Sequence, residues 1–105
     1  MTKKTAQNEK IKRRYFEFLK HADGKADSTI KMVSASIRRY EVFTKYKDFK
    51  FFDRNVAIKF KENLYDLVEL PTVLTTTNHL KRFFAWLAQQ NGYKRSIHLL
   101  SLIHI

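Results

Sequence analysis

The chain has 105 residues with no cysteine, two glycines and one proline, and carries a formal net charge of +11 at pH 7. That length suits one domain with a single core, and the missing cysteines exclude disulfides and thiolate metal sites. No apolar run has spanning length and none follows the basic N-terminus, so neither a membrane nor a secretory route is expected, and the reading is a cytoplasmic protein.

So few glycines and prolines disfavour a turn-rich sheet and predict an all-α bundle of long helices. A first helix is expected from about Ala6 to His21, with Ile11, Tyr15, Phe18, Leu19 and Ala22 inward and Lys10, Arg13, Arg14, Glu17 and Lys20 outward. After a loop over residues 22 to 27, Asp27 or Ser28 should cap a second helix reaching about Tyr46. Its inner side carries Ile30, Val33, Ile37, Tyr40 and Phe43, and the opposite side Lys31, Ala35, Arg38, Val42 and Lys45. Residues 47 to 52 read as an aromatic loop placing Phe49, Phe51 and Phe52 beneath the helices. Asp53 then caps a third helix, from about Arg54 to Asp66, with Val56, Ala57, Phe60 and Leu64 inward.

The fourth helix is the most strongly patterned. Pro71 suits its first turn, and Asn91-Gly92 is the expected stop. With Leu80 at the centre of the apolar face, Val73, Thr76, Thr77, Phe83, Phe84 and Leu87 fall within about 60° of it. Thr75, Asn78, Arg82 and Gln89 fall opposite, and no acidic residue occurs between Pro71 and Lys94. An aromatic core stripe backed by an acid-free face of Thr, Asn, His and basic residues suits a polyanion.

Charge is unevenly spread. Residues 1 to 22 carry seven Lys/Arg against two acids, residues 23 to 52 seven against four, and residues 71 to 105 four against none. Residues 53 to 70 carry three against four, as expected of a segment facing away from the polyanion, and Lys59 and Lys61 within it are expected to matter little for binding.

Two stretches resemble a known family. The pattern T-x-x-x-x-x-x-x-L-x-x-F-F-x-W-L-A, filled from Thr72 to Ala88 and followed by Gly92-Tyr93-Lys94, is similar to the last long helix of the core-binding domain of phage-integrase-type tyrosine recombinases. Ser28-Thr29-Ile30, with Val33, Ile37, Tyr40 and Phe43 at helical spacing, resembles the opening of that domain's second helix, although Val33 stands where the family more often has Tyr. The resemblance spans roughly residues 8 to 95. It implies a four-helix orthogonal bundle of the SAM-like kind over residues 1 to 95, followed by a truncated linker or artefactual tail over 96 to 105, where the ending Ser101 to Ile105 looks like translated sequencing adapter. It also implies duplex DNA as partner, with the second and fourth helices crossing over the major groove. Lys31, Met32, Ala35, Arg38 and Arg39, with Thr72, Thr75, Asn78, His79 and Arg82, occupy the DNA-facing positions of those helices. Lys and Arg would then neutralise phosphates, while Thr, Asn, Ala and Met meet base edges and thymine methyls. In the family this domain forms half of a clamp, supports integration and recombination in company with other protomers, and leaves catalysis to a separate domain.

No catalytic, metal or cofactor site is expected in the chain. His79-Leu80-Lys81-Arg82 matches the H-x-x-R element of the recombinase active site, but Leu80 is committed to the core face. His21, His79, His98 and His104 lack helical ligand spacing, and Gly24 and Gly92 are too isolated for a phosphate loop. Two rival readings remain. One is a helical protein-interaction module with incidental basicity, and the other a stand-alone helix-turn-helix regulator. Two solvated helix faces are the bland account of the candidate residues.

Overall fold

A computed structural model describes residues 6 to 90 of the chain, and every regular element among them is helical. Expectations for residues 91 to 105, including the stop at Asn91-Gly92, fall outside the described residues. The α-helices are α1 (Ala6–Glu17), α2 (Asp27–Thr44), α3 (Arg54–Leu67) and α4 (Leu70–Leu87). They fall into two compact units, the first ending at Phe49 and the second starting at Lys50.

In the first unit, α1 buries Asn8, Ile11 and Tyr15 and then widens into a π-helical turn over Phe18–Ala22, where the Asp23 amide donates to the Phe18 carbonyl across 3.1 Å. A π turn inserts an extra residue into the helical repeat and rotates the side chains beyond it. Leu19 therefore stays buried, whereas Phe18 and Ala22, both expected inside, are exposed. Gly24, at φ +65, makes the left-handed step that ends this segment.

α2 starts one residue earlier than a cap at Asp27 or Ser28 requires. Ala26 is the capping residue and offers no side-chain bond, and Asp27 lies within the first turn, where its charge suits the helix dipole. Val33, Ile37 and Tyr40 are buried as the spacing predicts, Ile30 and Phe43 only half so. Ser36 and Glu41 are buried too. The Ser36 hydroxyl donates to the Met32 carbonyl at 3.2 Å, and Glu41 accepts from the Lys12 ammonium at 2.7 Å. The helix ends in two left-handed residues, Lys45 (φ 59) and Tyr46 (φ 61), whose amides return to the Val42 and Glu41 carbonyls. Beyond it, the Asn8 amide donates to the Lys47 carbonyl at 2.9 Å and accepts from the Phe49 amide at 3.1 Å. That places Phe49 in the core, its ring 6.3 Å from that of Tyr40.

The second unit opens with Phe51 and Phe52, which part ways. Phe52 is buried and stacks on Phe84 with centroids 3.9 Å apart, whereas Phe51, expected beneath the helices, is 60% exposed. In a short 3-10 turn neighbouring side chains diverge, so both cannot face the same core. Asp53 caps α3 as its type predicts, its carboxylate accepting from the Val56 amide at 2.8 Å. Ala57, Phe60 and Leu64 are buried, Val56 is half-buried, and Lys61 is buried with them. α4 begins at Leu70 with Pro71 in its first turn and stops at Leu87, a few residues short of the expected glycine stop. Its last amides close i→i+3 bonds, Gln89 to Trp86 at 3.0 Å and Gln90 to Leu87 at 2.9 Å.

Candidate nucleic-acid interface

The face of α2 turned from its core is exposed at each expected position: Lys31, Met32, Ala35, Arg38 and Arg39. Helical repeat alone accounts for this, since burial of Val33, Ile37 and Tyr40 turns the other side of the helix outward. Val42 belongs to the same face and is 56% exposed. Glu41, the acid nearest Arg38 and Arg39 in sequence, is withdrawn inside with Lys12, while the exposed Asp27 lies one turn before Lys31.

α4 divides as sharply. Its buried residues are Val73, Thr76, Thr77, Leu80, Phe83, Phe84 and Leu87, the full set expected within about 60° of Leu80. Thr77 can lie there because its hydroxyl donates to the Val73 carbonyl at 2.9 Å, which satisfies it inside the helix. On the other side Thr75, Asn78 and Arg82 are exposed on successive turns, with Thr72 and His79 half-buried at the flank. Burial holds the His79 pKa below its ordinary value, and the nearby Arg82 charge lowers it further. His79 is therefore neutral at pH 7 and offers hydrogen bonds rather than charge. Trp86, ambiguous in the sequence, is half-buried with its ring 6.3 Å from that of Phe83, which ties it to the packed side.

The two faces belong to different units, α2 to the first and α4 to the second, and each presents cations with short polar or apolar side chains; α4 has no acid, whereas α2 has the exposed Asp27 one turn before Lys31. The α2 face can neutralise phosphates through Lys31, Arg38 and Arg39, and the α4 face, taken by itself, can do so through Arg82 and offer amide and hydroxyl groups to base edges through Asn78 and Thr75. No group of three or more His, Cys, Asp or Glu suited to a metal exists among the described residues, and none of their helices is long and apolar enough to cross a membrane.

A further surface was not foreseen from sequence. Tyr65, Leu67, Leu70 and Leu74 are 52%, 70%, 54% and 50% exposed at the junction of α3 with α4, beside the exposed acids Glu62, Asp66 and Glu69. Part of the signal was available, because Tyr65 lies about 140° from Phe60 on α3 and Leu74 about 120° from Leu80 on α4, off both apolar stripes, whereas Leu67 falls on the α3 stripe and spacing alone would bury it. No protein-family model, curated protein or solved structure matches the chain.

Proposed function

We propose that the chain binds duplex DNA as a core-binding domain of the tyrosine-recombinase kind, an orthogonal SAM-like four-helix bundle that grips one side of the duplex while catalysis resides in a separate domain. The observation that carries this reading is the division of α4: a packed side with Phe83 and Phe84 buried, and an outer side of Thr75, Asn78 and Arg82 in a helix without a single acid. Lys31, Arg38 and Arg39 on α2 support it. Lys and Arg neutralise phosphates, and Asn78 and the threonines address base edges.

Titration of a duplex over a range of salt tests this. Affinity should fall with log salt at a slope of about −0.9 per phosphate neutralised. Arg38→Ala and Arg82→Ala should each lower that slope by about one and weaken binding, while Lys59→Ala, on an exposed position of α3, should change little. No binding at low salt, or equal losses from all three variants, would sink the reading. One observation favours a protein-interaction module instead, namely the exposed Tyr65, Leu67, Leu70 and Leu74. Under that reading Leu67→Lys abolishes partner capture and leaves any DNA affinity untouched.

A further inference from the structure

Leu67 stands where helical spacing would bury it, yet it is 70% exposed. It lies about 20° from Phe60 on the α3 wheel, but α3 ends there and the chain turns away through Val68 and Glu69, so the apolar stripe runs out into solvent. Leu70, the first residue of α4, and Leu74, one turn on and about 40° round, are 54% and 50% exposed. The Cα atoms of Leu67 and Leu70 are at most about 11 Å apart, three steps of about 3.8 Å, and Leu70 to Leu74 adds about 6 Å along α4. These leucines therefore form one apolar corner, no longer than about three turns of helix. Tyr65 lies about 160° round α3 from Leu67 and is not part of it. Single apolar residues scattered over a surface are ordinary, whereas a contiguous set rimmed by charge marks a contact.

The rim has one sign. In a chain of net charge +11, residues 62 to 80 hold the acids Glu62, Asp66 and Glu69 and no Lys or Arg. All three acids are exposed, Asp66 next to Leu67 and Glu69 next to Leu70. Lys61 is buried, and the closest other cations of α3 and α4 are Lys59, eight residues before Leu67, and the half-buried Lys81, seven after Leu74, each about 10 Å or more along its helix. Acids beside the leucines repel the phosphates of nucleic acids and of anionic lipid surfaces alike. We propose that the Leu67, Leu70 and Leu74 corner docks a basic amphipathic helix of a partner protein, whose apolar anchors at i, i+3 or i+4, and i+7 meet the leucines while its flanking Lys or Arg meet Asp66 and Glu69. This goes beyond duplex binding and stands without it, and it gives the surface at the α3–α4 junction its class of partner.

The probe is a labelled helical peptide with leucine at those spacings and lysine elsewhere, titrated with the full chain by fluorescence anisotropy. At about 150 mM salt, charges further than about 8 Å from the bound peptide are largely screened. The control peptide has serine for every leucine and the same charge. The leucine peptide should bind at least tenfold tighter than the control. Leu67→Ser should weaken it about tenfold, the effect of leaving most of one leucine uncovered, and adding Leu74→Ser should weaken it further. Far-UV circular dichroism and Tm should barely change, since both side chains are exposed. Asp66→Asn with Glu69→Gln should weaken binding several-fold and flatten its salt dependence, a readout that apolar stickiness alone would not move; Glu69 makes no side-chain cap bond, so α4 keeps its start. No binding, equal affinity for the two peptides, or an affinity untouched by either pair of substitutions overturns the assignment. So does self-association of the chain that Leu67→Ser with Leu74→Ser abolishes, because a second copy would then cover the corner.

Discussion

Lys12 keeps its charge in a place that opposes it. Burial alone would lower its pKa, but hydrogen bonds and Coulomb attraction from Glu41 and Glu9 outweigh burial and raise it above the ordinary lysine value of 10.5. Glu41 is 1% exposed, one of its oxygens is held by Lys12 at 2.7 Å, and its Oε2 has no hydrogen-bond partner. A half-satisfied buried pair is costly to break and cheap to replace whole. Lys12→Met should therefore destabilise the fold by about 3 kcal/mol, while Lys12→Met with Glu41→Leu should recover most of that loss in urea titrations. Because the folded pKa is raised, the stability from Lys12 is complete below its unfolded value near 10.5 and disappears as pH climbs through the folded one. Wild type should thus lose more stability than Lys12→Met between pH 9 and strongly alkaline conditions. Helical spacing does put Glu41 near the inner side of α2, yet its charge marks it as external. The side chain goes inside because of a partner 29 residues away, which periodicity does not encode. Lys61 differs: its place beside Ala57 on the helical wheel takes it inward, and burial lowers its pKa.

The helices were legible in proportion to their regularity. α4 is a long, uninterrupted 3.6-residue pattern, and its buried set was readable position by position. α1 was not, since nothing in Phe18-Leu19-Lys20-His21-Ala22 announces a π turn, and a wheel drawn at constant pitch misplaces Phe18 and Ala22. Phe51 was misread because no period exists in a three-residue turn. Caps differed by chemistry: Asp53 could be foreseen and forms its bond, whereas α2 and α4 start at Ala26 and Glu69 without a side-chain cap. Asp53→Ala should cost about 1 kcal/mol by losing the 2.8 Å bond to the Val56 amide. Asp27→Ala, which breaks no cap, should cost clearly less in the same thermal melts. On the candidate site, helical spacing was enough to put all ten residues on outer or flanking positions, but it could not show that burial leaves His79 uncharged.

At the scale of the whole chain, the net charge of +11 acts on folding as well as on partners. Like charges on the surface repel in the compact state, and salt shortens the reach of that repulsion to about 10 Å at 0.1 M. Raising sodium chloride from about 20 to about 200 mM should therefore increase Tm while it decreases duplex affinity, two opposite responses of one surface. A Tm that falls over the same range would mean that ion pairs such as Lys12 with Glu41 outweigh the surface repulsion. The Asn8 amide has a consequence of another kind. Its two backbone partners lie 39 and 41 residues further along the chain, so during synthesis the start of α1 is made long before the groups that complete it. Until Phe49 emerges these two bonds cannot both form, and closing so long a loop is among the slower and costlier steps available to a small helical unit. The first unit is thus vectorially gated: its beginning waits on its end. The Phe49 amide should exchange with solvent no faster than that unit opens, and Asn8→Asp, which removes the donor to Lys47, should speed that exchange selectively.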